Sequence, residues 1–483
     1  MSIPKDRVFY LEDFGAVPDG TTLNTLKIQR AIDMCSHAGG GTIRITPGVW
    51  LTGTLFMKDN VCLYLDDGAT LLASPNREDY LPIARKNVRG MCCMLVSHFG
   101  NHVEDSSCLI FADGVKNIAI QGGGKIDGNG QPGIWWDAEK MCSPFVKDPN
   151  RWRPRALVAF IDCQYITIRD TKFFNASCYT LWPIACKDVV IDGIIIDNPF
   201  DGPNTDGIDI DCCDRVMVSN CNIKGGDDAI ALKSDSGILG QEEIPCQNIT
   251  VTNCVLQSRP ANAIRLGFEG DSFIRDCTFS NITIWDSACG IDIGSTTCDR
   301  PDFTILKGSR NENITFDNIT MRDTTVPVRL WLNGPADSHV VLRNIRISNL
   351  IAECRSGMEF LGLADHAMEN IFLSDILLIP AGERTETGPG TALFARFVEN
   401  LHVENFCVDW KNAKGAWQHG AQIQNSRKVQ CDNISTVHGE NIDLKSFVDF
   451  VGTTGSVRNC DSDPNIPLVT SDPESKVFQS GNN

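Results

Sequence analysis

The 483-residue sequence has no apolar run of the ~18 to 20 residues that a membrane-spanning helix needs. It also has no surplus of basic residues, because 43 Lys and Arg stand against 61 Asp and Glu, a formal net charge of −18. Binding nucleic acid without sequence preference needs clustered Lys and Arg to displace counterions. These absences argue against membrane and nucleic-acid partners, and a hydrophobic content of 42% indicates a soluble globular chain.

The 21 cysteines lack the Cys-x-x-Cys spacing of zinc knuckles and redox motifs, and the eight histidines lack metal-ligand spacing. We therefore expect no metal and no other cofactor. Met1 to Phe9 show no basic segment followed by an apolar run, which predicts that no secretory signal is present. Abundant thiols without a signal are typical of a reducing compartment, so we predict a cytoplasmic protein.

A short phrase recurs along the chain: alternating aliphatic positions that end in Asn or Asp. The mean period is about 29 residues, with single steps from 22 to 37. The phrase ends at Asp170, Asp192, Asn220, Asn253, Asn281, Asn318, Asn349, Asp375, Asn405 and Asn433.

Each phrase has strand character, and little room for helices lies between them. The pattern predicts an all-β, single-domain solenoid in which short parallel strands stack coil on coil over one continuous core. Asn or Asp at a fixed point of each coil tolerates the left-handed conformation and forms a ladder. Cys221, Cys254 and Cys277 lie at or near this point, and we interpret them as core-filling residues.

Both ends of the chain depart from the repeat. Thr22 to Gly41 carries Leu23, Leu26, Ile32 and Cys35 on one helical face, which predicts an amphipathic helix that caps the solenoid. Beyond Val451 the sequence becomes polar, which predicts a loosely ordered tail. The predicted divisions are 1–45 for the N-terminal segment and capping helix, 46–452 for the catalytic solenoid and 453–483 for the polar tail.

Two acidic phrases are the candidate site: NTDGIDID, from Asn204 to Asp211, and GGDDAIALKS, from Gly225 to Ser234. Asp227 follows Asp206 by 21 residues, close to one coil, so stacking would put their carboxylates ~4.8 Å apart, with Asp228 beside them. Crowded carboxylates raise at least one pKa, and a proton held beside ionised acids suits acid/base cleavage of a glycosidic bond.

Two other interpretations of these acidic phrases stay open. Acidic turns can simply decorate an acidic surface, as Asp209, Asp211 and Asp214 would in that case. An oxygen-rich cluster also suits Ca²⁺.

The sequence resembles glycoside hydrolase family 28, the polygalacturonase family of right-handed parallel β-helices. The resemblance runs through DFGAVPDGTTLNT (13–25), the stretch 39–75, RPRALVAFIDC (153–163) and the two acidic phrases, and it covers at least residues 8 to 295. It implies that Asp227 is the general acid and that Asp206 and Asp228 activate water, with inversion. Asn204, which opens the NTD motif, is assigned to the substrate-binding set.

The sequence departs from the family pattern at the positions that bind substrate. Asn262 stands in place of a Gly-His-Gly histidine, CGIDIGS with Asp292 replaces an Arg-Ile-Lys motif, and Trp182 replaces another histidine. We expect Asp292 to repel an anionic sugar. Arg265 is a candidate cationic contact with a surface ion pair as its alternative, and Lys233 matches a family-typical position. Trp182 could stack on a sugar or belong to the core.

We therefore predict a pectin-type glycoside hydrolase, inverting and exo-acting on short oligosaccharides, that is not optimised for plain homogalacturonan. A polysaccharide lyase or uronate epimerase on a β-helix is one alternative. A non-catalytic carbohydrate-binding solenoid is the other. The expected partner is an oligosaccharide or glycoside substrate, and a homo-oligomer is left open.

Overall fold

The computed structural model describes residues 3–4, 6–83, 107–136, 153–235, 243–300, 303–384, 390–437, 439, 442–461 and 466–482. Nearly all regular structure in this part is β-strand, and the strands pair in parallel across successive turns of the chain. The chain forms two compact units, Met1–Val255 with Asp299–Thr304, and Leu256–Cys298 with Ile305–Asn483. The predicted parallel β solenoid is confirmed.

In the first unit the strands stack in three parallel columns. The first column contains β5 (Leu55–Phe56), β8 (Cys108–Asp113), β11 (Ala156–Ile161), β14 (Tyr179–Ile184), β17 (Ile208–Asp211) and β20 (Ile230–Ser234). The second contains β1 (Val8–Tyr10), β3 (Gly41–Ile45), β6 (Val61–Leu65), β9 (Lys116–Gln121), β12 (Gln164–Arg169), β15 (Lys187–Asp192), β18 (Asp214–Ser219) and the start of β21 (Cys246–Gln257). The third contains β2 (Asp19–Leu23), β4 (Gly48–Thr52), β7 (Ala69–Ala73), β10 (Lys125–Asp127), β13 (Lys172–Phe174), β16 (Ile195–Asp197) and β19 (Asn222–Lys224).

Period-2 alternation in the sequence produces the core of this unit. In the second column Ile120, Ile168, Ile191 and Val218 occupy one register position on four consecutive coils, and each is 3% exposed or less. The residues that precede the last three of them, Thr167, Val190 and Met217, are partly or fully exposed. Each coil therefore buries its aliphatic side chains against the coils above and below it, as a solenoid requires.

The predicted N-terminal helix is confirmed as α1 (Thr25–His37), and two short 3₁₀ helices cover Leu11–Phe14 and Arg77–Asp79. The buried face of α1 differs in part from the expected one. Ile32 and Cys35 are buried as predicted, together with Ile28, whereas Leu26 is 84% exposed because it lies on the opposite side of the first turn. Among the described residues, no helix is long and apolar enough to cross a membrane.

The stacked strands of the second unit differ in length, from 3 to 24 residues. They are β22 (Asn262–Gly270), β23 (Phe273–Thr296), β26 (Arg310–Asn333), β27 (Val341–Cys354), β28 (Met358–Leu361), β29 (Met368–Pro380), β31 (Thr391–Arg396), β32 (Val398–Asp409), β34 (His419–Gln424), β35 (Val429–Val437), β36 (Ser446–Val451), β37 (Thr454–Arg458), β38 (Val469–Ser471) and β39 (Lys476–Ser480). Two small pairs stand apart: β24 (Cys298–Arg300) with β25 (Phe303–Ile305), and β30 (Gly382–Glu383) with β33 (Ala413–Lys414).

The C-terminal residues differ from the predicted loose tail. Strands β37, β38 and β39 continue the stack, with β38 paired to β36 and β39 paired to β37. Val457 is fully buried, and Asn459 donates to Asp432 on the preceding coil at 2.9 Å. A polar composition misled the prediction because the outward face of a last coil needs few apolar residues. The division at 1–45, 46–452 and 453–483 otherwise stays a prediction.

The Asn/Asp ladder forms much as predicted. Nine of the ten predicted positions have φ between 51° and 61°, and at the tenth the left-handed residue is Gly193 (φ 66°), directly after Asp192. Side-chain amides link neighbouring coils, with Asn318 donating to Asn281 at 2.7 Å and Asn433 donating to Asn405 at 2.7 Å. The predicted core cysteines Cys221, Cys254 and Cys277 are each 2% exposed or less.

Candidate active site

The pairing of β17 with β20 sets the register of the two acidic phrases. Ile208 lies opposite Ile230, and the backbone N–H of Gly207 donates to the Asp228 carbonyl at 2.9 Å. One coil is therefore 22 residues here, which aligns Asp206 with Asp228. The sequence spacing of 21 had aligned Asp206 with Asp227, which instead lies one position earlier, in the turn that leads into β20.

Asp206, Asp227 and Asp228 form a cluster in which one carboxylate oxygen from each lies within 4.8 Å of the others. Asp206 is 3% exposed and Asp228 is 6% exposed, whereas Asp227 is partly open to solvent. The predicted clustering of these three acids is confirmed. The turn that carries Asp227 needs glycine at Gly226, because a Cβ there would overlap the side chain of Thr205.

Burial and crowding raise the pKa of Asp206 well above its usual range, with burial as the larger cause. The neighbouring carboxylates of Asp209, Asp227 and Asp228 raise this pKa further, and the ammonium of Lys233 opposes them. Both causes favour the protonated form of Asp206. The resemblance assigned the acid role to Asp227, whose carboxylate lies within 4.8 Å of this carboxyl group.

Lys233 lies inside the protein and was predicted to contact substrate. It is 2% exposed, and its Nζ lies 2.9 Å from Asp209 Oδ1 and 4.0 Å from Asp206 Oδ2. Nζ also donates to the Tyr179 hydroxyl at 2.9 Å and lies 4.2 Å from the centre of that ring. A buried carboxylate is stable only when its charge is compensated by a partner. Lys233 provides that compensating charge for Asp209 and Asp206.

The neighbouring acids of the NTD phrase do not decorate the surface. Asp209 is fully buried against Lys233, and Asp211 is 1% exposed and accepts the backbone N–H of Asp235 at 3.0 Å. Of the three suggested surface acids, only Asp214 lies at the surface, where it accepts from Asn248 at 2.8 Å. Sequence spacing did not reveal the role of Asp209, because its partner Lys233 belongs to the next coil.

Trp182 belongs to the core of the first unit and offers no face to a sugar. It is 2% exposed, and its ring meets that of Tyr179 edge-on, with ring centres 5.2 Å apart. Asn204 is also buried, at 5% exposed, and its Nδ2 donates to Asp227 Oδ2 at 3.4 Å. Asn204 therefore contacts the carboxyl group of Asp227, which its assignment to the substrate did not anticipate.

The second unit contains the remaining predicted contacts: Asn262, which is 5% exposed, Arg265 and Asp292. Asp292 is fully buried and accepts from Arg329 Nε at 3.1 Å and from Trp331 Nε1 at 2.7 Å, with Arg265 Nη1 4.0 Å away. Asp292 is thus not the unpaired charge that the sequence suggested, and its effect on an anionic sugar stays a prediction.

Arg329 was missed because the repeat steps by 37 residues there. The pairing of β23 with β26 places it opposite Asp292, and Glu359 follows on the next coil. Arg265, Asp292, Arg329 and Glu359 alternate in sign along one row of register positions. Opposite charges at directly facing positions stabilise neighbouring strands.

Comparison with known proteins identifies the family to which this sequence is similar. The sequence model of "Glycosyl hydrolases family 28" matches residues 96–384. A "probable polygalacturonase" of Vitis vinifera is 27% identical over 362 residues, covering 71% of this chain and 68% of that protein. An "exo-poly-alpha-D-galacturonosidase" of Dickeya chrysanthemi is 28% identical over 321 residues, covering 60% of this chain and 52% of that protein.

Among solved structures, a hyperthermoactive exopolygalacturonase of Thermotoga maritima superposes with a TM-score of 0.64 at 23% identity, covering 79% of this chain and 89% of that one. This likeness supports the fold. The family match extends over more than half of the sequence and includes both acidic phrases. The chain belongs to glycosyl hydrolases family 28.

Proposed function

We propose that the chain is a pectin-degrading glycoside hydrolase that cleaves galacturonate-containing oligosaccharides by acid/base catalysis. The observation that carries the proposal is the cluster of Asp206, Asp227 and Asp228, one oxygen of each lying within 4.8 Å of the others, in which burial and crowding raise the pKa of Asp206. A neutral acid beside ionised carboxylates is the arrangement that protonation of a leaving oxygen requires.

Asp227 is the proposed general acid, because it is the most open of the three and can reach a bound glycoside. In the proposed reaction the proton of the cluster moves from Asp206 to Asp227 and then to the glycosidic oxygen, as the bond from that oxygen to the anomeric carbon breaks. The oxygen of a water molecule bonds to the same carbon, and the proton of that water passes to the Asp206–Asp228 pair. Inversion is proposed from the family resemblance.

The ion pairs of Asp292 change the proposed substrate class. The case against homogalacturonan rested on the replaced histidines, on the missing Arg-Ile-Lys motif and on a repulsive Asp292, and that carboxylate is paired with Arg329. We therefore include anionic galacturonate oligomers among the substrates. An exo mode is supported by the Dickeya relative, which is named an exo-poly-alpha-D-galacturonosidase.

A cytoplasmic location stays a proposal, and its support is that eighteen cysteines in the described part of the chain are free. Free thiols at this density suit a reducing compartment.

Digestion of a galacturonate oligomer series, from dimer to hexamer, tests the hydrolase proposal. Wild type should release monomer from the chain end. Asp227→Asn should lower kcat by about 10²- to 10⁴-fold and leave ligand binding intact. The matched control is Asp197→Asn, which removes a half-exposed carboxylate paired with Lys224 and should keep wild-type rates.

Two outcomes would redirect the proposal. An unsaturated, ultraviolet-absorbing product would indicate a lyase. Binding without cleavage in wild type, unchanged in Asp227→Asn, would indicate a carbohydrate-binding solenoid.

A further inference from the structure

Arg153 precedes β11 and has no part in the mechanism above, yet it is 2% exposed and lies against the acidic phrases. Its Nη1 donates to the carbonyl oxygens of Ser177, at 2.8 Å, and Pro203. Its Nη2 donates to Asn204 Oδ1 at 2.9 Å. One guanidinium therefore fixes three acceptors, two of them in the turn that opens the NTD motif.

Asn204 occupies a left-handed conformation with φ 54°. Arg153 donates to the carbonyl oxygen of Pro203, which precedes Asn204, and to the side chain of Asn204 itself. These two hydrogen bonds hold the turn in place. Asn tolerates this conformation better than most residues. The position of the Asn204 amide therefore depends on Arg153.

Arg153 also decides which end of the amide faces the catalytic acid. A guanidinium only donates hydrogen bonds, so it must face Oδ1 of Asn204. The amide then presents Nδ2 to Asp227 Oδ2, at 3.4 Å, while Asp227 Oδ1 accepts the backbone N–H of Asp228 at 3.1 Å. If the amide were reversed, its oxygen would face the carboxyl group.

We infer that Arg153 is a positioning residue of the proposed hydrolytic site, acting on Asp227 through Asn204. The inference rests on the proposed function for its catalytic meaning. As Asp227 gives its proton to the leaving oxygen, negative charge develops on its carboxyl group. An N–H aimed at Oδ2 stabilises that charge without rearrangement during the reaction.

Arg153→Lys is the first test, because Lys keeps the charge but cannot bind three acceptors in a fixed fork. The expected result is a fall in kcat of about 10- to 100-fold, with KM within about 2-fold, since a hydrogen bond to a charged group is lost in the transition state. Arg155→Lys is the matched control. Arg155 is equally buried two residues along, so Arg155→Lys should lower thermal stability similarly and preserve kcat.

A double-mutant cycle separates positioning from general damage. Asn204→Gly keeps the left-handed turn and removes the amide. In that background Arg153→Lys should cost less than about 2-fold in kcat, because the route through Asn204 is already gone. A full additional loss would overturn the inference.

Asn204→Asp provides a second variant if Arg153→Lys fails to fold. It keeps an oxygen for Arg153 and replaces the N–H donor with an oxygen that faces Asp227. Its kcat should fall by about 10-fold or more. Wild-type turnover in Asn204→Asp would contradict the inference.

A crystal structure of Arg153→Lys gives a readout that does not depend on turnover. The Asn204 amide should turn away from Asp227 while Asp206 and Asp228 keep their places. An amide that still donates to Asp227 would overturn the inference. Failure of wild type to cleave any oligomer would instead overturn the proposed function, so the two failures are distinguishable.

Discussion

Each of the two units contains a fully buried aspartate, Asp209 in the first and Asp292 in the second. The charged groups around these two aspartates differ. In the first unit Asp209 pairs with Lys233 of the next coil, and that single ammonium also lies 4.0 Å from Asp206. In the second unit one carboxylate, Asp292, lies between Arg329 of the next coil and Arg265 of the coil before.

The difference between these two sets of charged neighbours indicates which surroundings would make a buried aspartate suitable for acid/base catalysis. Around Asp206, the carboxylates of Asp209, Asp227 and Asp228 raise its pKa, and the ammonium of Lys233 lowers it, with burial as the largest cause of the net rise. Around Asp292 two guanidinium groups and an indole N–H support a single carboxylate, an arrangement that holds the charge in place. Strand register brings charged groups together in both units, and the proposed difference is that carboxylates surround Asp206 whereas guanidinium groups surround Asp292.

The largest expected effect comes from removing the shared cation. Lys233→Met leaves Asp209 and Asp206 buried without their ammonium, and the free energy of unfolding should fall by about 3 to 5 kcal/mol. Urea unfolding followed by circular dichroism measures it. Adding Asp209→Leu should restore most of the loss, because the uncompensated charge is then gone. A Lys233→Met variant as stable as wild type would break the comparison.

The pH dependence of stability is the next largest effect. The pKa of Asp206 is raised in the folded chain, so the native state binds a proton that the unfolded state releases above pH ~4. The contribution of Asp206 to stability is therefore present at low pH and is lost as the pH rises through its folded pKa, at about 1.4 kcal/mol per pH unit. The stability advantage of wild type over Asp206→Asn should shrink accordingly above pH 4. An advantage that grows with pH would show that Asp206 is ionised in the folded protein.

A smaller effect is expected in the second unit. Arg329→Gln removes one donor from Asp292 but leaves Trp331 Nε1 and Arg265 nearby, and Arg329 is partly exposed. The loss in stability should be about 1 to 2 kcal/mol, clearly below that of Lys233→Met. Thermal unfolding of both variants gives the comparison. Equal losses would mean that the number of cations around the buried acid is irrelevant.

The smallest expected effect is that of removing divalent cations. Three carboxylates within 4.8 Å also suit Ca²⁺, so the proposal of a proton and Lys233 as the balancing charges needs a direct check. Treatment with EDTA should leave kcat/KM unchanged, and added Ca²⁺ should not raise the melting temperature. Activity that is lost with EDTA and regained with Ca²⁺ would contradict the proton-based account.

Much of the fold was predictable, because a solenoid repeats the same local rule. Asn433 and Asn405 were placed on one ladder from aliphatic alternation and a terminal turn-former, and their side chains are hydrogen-bonded. The polar C-terminal strands were missed because strand pairing there depends on a preceding coil, which composition does not reveal. Leu26 was assigned to the wrong face of α1. In the first turn of a helix the apolar spacing alone does not fix which side faces the core.

The sequence predicted which acidic residues form the site, but it did not predict which residues form ion pairs with the buried acids. The three acids were found because they lie in two short phrases one coil apart. The partners of Asp209 and Asp292 lie 24 and 37 residues away, and only strand register brings Lys233 and Arg329 to them. Lys233 was therefore assigned to the substrate, and Asp292 was expected to be an unpaired charge.

The central claim is that the first unit stores a proton on Asp206. Carbon-13 NMR of aspartate-labelled protein, titrated from pH 3 to 9 and assigned with Asp206→Asn, measures it directly. The account predicts one carboxyl resonance, absent in Asp206→Asn, that titrates well above the usual aspartate range and moves lower when Asp227 is replaced by Asn. An Asp206 resonance that is already ionised at pH 4 would contradict the account.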